Sequence, residues 1–207
     1  DLLTADGAPA GAIDPVGVDY EAVTGVIRVN LPEAIAKSAI SDSLFDGDLI
    51  SQAFVIDVGD GKLAIDVHTV PGSTIALRAF EVDSPSRIVI DIRPDAEAAA
   101  VAGATLGDGV VLISPIAGPT TGPISVRGYL KARTEELEVR VVGRNEVVQE
   151  TTVQLLGDTG LWREFLTTLS GIPAGVFTVE VATSGREPAV QVDIDTSDRS
   201  LPAPPEV

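Results

Sequence analysis

Few side chains in this sequence could do chemistry, and their types set the first limits. Histidine occurs once, at His68, two positions after Asp66 in a run of alternating residues. Cysteine is absent, which removes thiol nucleophiles, thiolate metal sites and disulfides from consideration. One histidine cannot build a multi-histidine zinc site, and carboxylates would be its sole partners. A Ser–His–Asp triad is arithmetically available, but no G-x-S-x-G elbow gives a serine the needed context. His68 is therefore expected on the polar, solvent-facing side of a strand. No catalytic residue is assigned.

Grouped carboxylates serve both acid/base catalysis and calcium binding. Asp46-Gly47-Asp48 and Asp57…Asp60 fall at turns, where aspartate and glycine are favoured for backbone reasons alone. Asp193, Asp195 and Asp198 are the better calcium candidates, because the first two would share a face at the end of the last strand. Calcium takes about six to eight oxygens, and the D-x-[DN]-x-[DN]-G loop is missing. These three remain candidates, and no metal site is assigned. Neither G-x-G-x-x-G nor G-x-x-x-x-G-K-[ST] occurs, so no nucleotide or other cofactor is expected. A ligand-binding residue cannot be named from the sequence.

Charge narrows the partners. Acids outnumber bases 31 to 14, for a net charge of −17 spread over both halves of the chain. Such a surface repels phosphate backbones, so nucleic acid is not an expected partner. Solubility is the plain reading of this charge, and a surface working among polyanions or divalent cations is the sharper one. No run approaches the ~18 apolar residues of a membrane span. No signal peptide is seen, and the polar, glycine-rich lead DLLTADGAPAGA reads as a mature or trimmed segment. The tail SDRSLPAPPEV has the composition of an extended linker.

The elements that must position these residues are strands. Aromatics make up 4% of the chain, so valine, isoleucine and leucine have to fill the interior. After a flexible lead over 1–15, Val16, Val18 and Tyr20 alternate, and GVIRVNL follows. LPEAIAKSAISDSLF, with Leu31, Ile35 and Ala39 in helical spacing, is expected to form a helical turn or crossover. ISQAFVIDVGDGKLAIDVHTV is a hairpin on Asp60-Gly61, a pair suited to the positive φ of a tight turn. Across it Phe54, Ile56 and Val58 are expected to face Leu63, Ile65 and Val67. STIALRAFEV is a further strand, and in RIVIDI the residues Ile88, Ile90 and Ile92 alternate with Val89, Asp91 and Arg93 up to Pro94.

Residues 95–109, alanine-rich and broken by Gly103, Gly107 and Gly109, are expected to be an interdomain linker. Seven strand candidates follow: VVLIS, PISVRGYLK, ELEVRVV, EVVQETTVQL, REFLTTL, GVFTVEVA and PAVQVDI. Seven short half-buried strands in one domain are the pattern of an immunoglobulin-like sandwich, here without a disulfide. Trp162 and Phe165 are an odd number of residues apart and would point to opposite faces. Trp162 is then either exposed on the outer sheet, where an indole could stack on a sugar ring, or brought inward by a bulge near Arg163. The largely buried place near one end of that sandwich is the one expected.

Both halves carry resemblances. Pro85, Arg87, Ile88, Val89, Ile90 and Asp91, with the AFVIDVGDGKLAIDV hairpin upstream, resemble the AMIN domain and its AMIN-like relatives. That resemblance, over residues 16–94, implies a β-sandwich that localises its protein in the bacterial cell envelope, in several cases through peptidoglycan. Pro115, Gly118, Pro123, Val126, Gly128, Trp162, Phe165, Gly175, Phe177 and Val179 keep the motif order of another family. Over residues 110–196 this half is similar to the immunoglobulin-like domain associated with bacterial spore-germination (GerM-type) lipoproteins. It implies no catalytic residue, and sporulation itself does not follow.

The expected architecture is thus all-β, two tandem β-sandwich domains at 16–94 and 110–196, with an extended tail at 197–207. The expected function is a non-enzymatic, extracytoplasmic envelope or surface protein that binds or scaffolds. Protein partners or cell-wall glycan are the expected partners, and a lipid anchor upstream would fit. The alternative is a structural subunit of a larger extracellular or membrane-associated assembly, meeting partner chains through sheet edges and tails.

Overall fold

The computed structural model describes residues 2–3, 6–8, 17–83, 86–131, 134–144, 146–157, 160–183 and 186–197. Among them every regular element is a strand. The first half contributes β1 (Leu2–Leu3), β2 (Val18–Glu21), β3 (Val26–Asn30), β4 (Lys37–Ser38) and β5 (Asp42–Leu44). It continues with β6 (Ile50–Gly59), β7 (Lys62–Thr69), β8 (Ile75–Asp83) and β9 (Ser86–Pro94). β10 (Thr105–Gly107) leads into β11 (Val110–Ser114), β12 (Gly118–Pro119), β13 (Ile124–Leu130) and β14 (Glu136–Gly143). β15 (Glu146–Gln154), β16 (Trp162–Leu169), β17 (Val176–Ala182) and β18 (Val190–Asp195) complete the chain.

All seven strands expected in the second half form, and they make a sandwich. β11, β13 and β16 are neighbours in one sheet, while β18, β17, β14 and β15 are neighbours in the other, with β12 parallel to β18. This is an immunoglobulin-like strand order, built from cross-sheet alternation. Val126, Phe165 and Leu169 face Val139, Val179 and Val192 in a buried core. Each apolar face alternates with polar positions, so the pleat assigns every residue a side.

In the first half the 6–7 hairpin turns on Asp60 and Gly61, both in the left-handed region at φ 53° and 71°. Its register differs from expectation. A bulge between Asp57 and Gly59 shifts the pairing by one, so Val55 faces Ile65 and Phe54 faces Asp66. A one-residue shift exchanges the faces. Val55, Leu63 and Val29 therefore join one cluster, which Ile88 and Ile90 of the separate β8–β9 hairpin cover. Phe54 and Ile56 point the other way. Residues 31–45 form no helix. Pro32 and the serines disfavour one, and Ile35 N–H instead donates to the Pro32 carbonyl at 2.9 Å, closing a turn that buries Leu31 and Ile35.

The halves are joined by more than the chain. β16 pairs with β6 in parallel, Trp162 beside Ile56 and Arg163 beside Asp57, making one nine-stranded sheet across both halves. That sheet curls until the outer face of β11, β13 and β16 meets the face of β6 carrying Phe54 and Ile56. The segment read as a linker is tied down within this body. Val101 is buried, exchanges backbone hydrogen bonds with Gly72 and Ser73 at 2.9 Å, and is followed by β10 at the sheet's end. Alanine and glycine there serve close packing; a Cβ on Gly103 would lie 2.6 Å from the Pro71 ring.

This joint also explains Trp162. The register from Leu130–Arg163 to Ile124–Leu169 is unbroken, so no bulge turns the indole inward. Trp162 and Phe165 do lie on opposite faces, yet Trp162 is 6% exposed because the first half covers what would be an outer face. It meets Phe54 edge-on, ring centroids 4.9 Å apart.

Gly128 sets how closely β13 can approach its neighbours, since a Cβ there would sit 2.1 Å from the Val111 carbonyl oxygen. Gly128→Ala is expected to destabilise the chain by about 3 kcal/mol or more, whereas Gly17→Ala, whose Cβ would meet the Asn30 side-chain amide at an ordinary 3.5 Å, should change stability little. Urea denaturation followed by circular dichroism measures both. Equal, small effects would mean that β11 and β13 are not packed as described.

Candidate functional site

The polar residues of the joint come from two cross-strand pairs, one in each half. Arg28 on β3 sits opposite Asp66 on β7, and Tyr129 on β13 sits opposite Glu164 on β16. The curl of the sheet brings the pairs face to face. Arg28 binds Asp66 with two hydrogen bonds of 2.9 Å and reaches across to Glu164 at 2.8 Å. The Tyr129 hydroxyl donates to Asp66 from the other half. Asp66, fully buried, thus receives donors from both halves.

Each partner's protonation suits this arrangement. Burial alone would lower the Arg28 pKa, but its hydrogen bonds to Asp66 and the charges of Asp66 and Glu164 outweigh that and raise it. Burial, followed by the adjacent Asp66 charge, pushes the Tyr129 pKa well above its ordinary value, so the hydroxyl stays a donor. His68 flanks the group at 5% exposure, with Nε2 3.4 Å from the Tyr129 oxygen and its ring edge-on to Phe54. Its expected place on the solvent side is corrected here: both faces of β7 are covered, one by Ile88 and Ile90, the other by the second half. Burial, opposed by Asp66 and aided by Arg28 and Arg127, lowers the His68 pKa to about 4.

Two further bridges flank this core. Arg127 of β13 pairs with Glu21 of β2. At the other side Lys131 lies 5.6 Å from the Trp162 ring centroid and 2.7 Å from the Ser41 hydroxyl, while the indole N–H donates to Asp42 at 3.4 Å. Arg163, also buried, donates to the Thr134 carbonyl. Chemically, the arrangement is a clamp. Its carboxylate is committed to a guanidinium and a phenol, and substrate would reach it only if the halves separated.

Of the calcium candidates, Asp193 and Asp195 alternate with buried Val192 and Ile194 and so share the outer face of β18. Asp193 accepts from the Thr178 hydroxyl at 2.7 Å, and Asp195 accepts from the Ser197 backbone N–H at 2.8 Å. Hydrogen bonds from the Ser197 side chain and backbone lower the Asp195 pKa. Asp198 lies outside the described residues. No group of three or more metal-ligating side chains occurs among the described residues. Asp57 is buried at the hairpin end, accepting from the Gly59 N–H at 2.9 Å. A separate groove of about 780 Å³ opens at the end of the second sandwich, between the Gly143-Arg144 turn and residues 173–178. Sequence reasoning missed Arg28, Asp66, Tyr129 and Glu164, because each sits at a polar position of an alternating strand. Only contact between the halves distinguishes them from solvent-facing residues.

No protein-family model matches the chain, and no curated protein matches it. Among solved structures it is similar to one described as "Biofilm associated protein - BSP domain", with 14% identity and a TM-score of 0.28. The match covers 90% of this chain and 30% of that one, so this chain spans less than a third of its length. A likeness at this level fixes neither family nor function.

His68 gives the site a pH signature. Its folded pKa, about 4, lies below the ordinary 6.5, so the unfolded chain takes up the proton first. Its contribution is complete above pH 6.5 and is lost as pH falls toward 4, about 3 kcal/mol in all. His68→Gln should flatten the stability profile across that window in urea titrations. An unchanged slope would show that His68 is solvated in the native state.

Proposed function

We propose that this chain is a non-enzymatic module of a bacterial cell-envelope or surface protein, a rigid scaffold presenting surfaces to protein partners. The observation that carries this reading is the parallel pairing of β6 with β16 over a buried polar clamp. It uses the chain's reactive side chains to fix one half against the other. Two sandwiches joined by such a clamp transmit load and hold their outer surfaces in a constant relation, which a flexible tether cannot do. The extracytoplasmic address, an AMIN-like first half and a germination-lipoprotein-like second half rest on the sequence resemblances. A lipid anchor, and cell-wall glycan as the alternative partner to protein, enter on that basis alone.

A structural-subunit reading draws on β15. This nine-residue strand pairs with β14 alone among the described strands and exposes Val147 and Val148, an edge suited to a neighbouring chain.

Fractionation of cells producing the full-length protein tests the proposal. The protein is expected in the envelope fraction, accessible to external protease. The purified chain should sediment with isolated peptidoglycan sacculi no more than an equally acidic control protein. Recovery in the cytoplasm would remove the envelope reading, and saturable sedimentation would make the module a glycan binder instead.

A further inference from the structure

One end of the shared sheet carries apolar residues that the fold does not use. Leu44, the last residue of β5, is 81% exposed, and Phe45 after it is 49% exposed. Of the five phenylalanines, Phe45 and Phe80 are exposed, and Phe80 has the Arg78 guanidinium over its ring. Neighbouring strands add to the same end. Val26 and Gln52 both register with His68, and Val70 N–H donates to the Leu49 carbonyl at 3.0 Å. The turn preceding β3, with Val23 at 59% exposure, therefore lies at the same end of the sheet as the 45–50 loop, with β7 between them. Along Phe45–Ile50 runs a shallow groove of about 470 Å³.

Two features say what would cover it. Asp42, Asp46 and Asp48 are exposed around Leu44 and Phe45, and the sequence holds no lysine or arginine from 38 to 61. The acidic stretch that carries the apolar tip thus holds no cation of its own, and Lys131 stands beside Asp42. Further, β5 pairs only with β6, and no other described strand occupies its second edge.

We propose that residues 42–50 are a docking site for an extended protein segment in which a pair of apolar residues adjoins a pair of lysines or arginines, so that each face of the added strand carries both kinds. The segment adds to the second edge of β5. Its apolar side chains cover Leu44 and Phe45, and its cations meet Asp46 and Asp48 and share Asp42 with Lys131. Anionic membranes and acidic chains are repelled by the same carboxylates. The site does not rest on the envelope reading: cell fractionation can fail while the tip still binds.

The test is NMR titration of the isotope-labelled chain with three short synthetic peptides built from paired residues, Lys-Lys-Leu-Leu, Glu-Glu-Leu-Leu and Lys-Lys-Ser-Ser repeats, called Lys/Leu, Glu/Leu and Lys/Ser below. The Lys/Leu peptide is expected to shift the amide signals of 42–50. Leu44→Ser with Phe45→Ser should weaken that binding about tenfold or more while leaving signals of the buried core in place, since both side chains are exposed. Added salt should weaken it too. Equal binding of Lys/Ser would reduce the effect to charge, and equal binding of Glu/Leu would reduce it to hydrophobicity; either overturns the proposal. So would shifts confined to other surfaces, no shifts at all, or partition of the wild-type tip into neutral phosphatidylcholine vesicles.

Discussion

A carboxylate without solvent must obtain its stabilisation from fixed partners, and Asp66 obtains it from both halves of the chain. Removing such a group from water costs several kcal/mol, which only well-aligned donors offset. Arg28 supplies two of them from the adjacent strand, and Tyr129 supplies another from the far half. If the halves separated, Asp66 would keep Arg28 but lose the phenol, and Arg28 would lose Glu164. The net gain over an apolar cluster of the same volume is small. The penalty for docking wrongly is large, so the clamp specifies one arrangement of the halves.

The apolar part of the joint supplies the driving force that this polar centre directs. Phe54, Ile56, Val111, Ile113, Trp162 and Val26 bury a continuous cluster between two sheet faces. The backbone makes this geometry available. A short parallel pairing of β16 with β6 merges the sheets, and β5 takes the remaining length of the same β6 edge. Lys131, Trp162 and Asp42 close the seam where β5 and β16 meet.

What could be read from the sequence was local. Asp60-Gly61 announced its turn, and the seven strands of the second half were visible because each alternates against one buried face. The β-sandwich class followed from those patterns. What could not be read depended on a second covered face. His68 and Asp66 alternate with Leu63, Ile65 and Val67, and period two alone marks the polar set as outward. A bulge at Asp57–Gly59 then moved Phe54 and Ile56 onto that polar side, where they became part of the joint. Residues 95–109 looked like a tether since alanine and glycine give no stripe. Gly103 packs on Pro71 through its small size, and Val101 is buried against Gly25 as a single apolar residue without a stripe.

The central claim is that the two halves form one cooperative body locked at Asp66. Equilibrium urea unfolding of the chain, followed at once by Trp162 fluorescence and far-ultraviolet circular dichroism, tests it most directly. Trp162 reports the joint, and circular dichroism reports all strands. The account predicts a single transition with coincident midpoints, moved as a whole by Asp66→Asn. A tryptophan transition that precedes loss of strand signal, or two resolved steps, would show that the halves fold separately and meet only loosely.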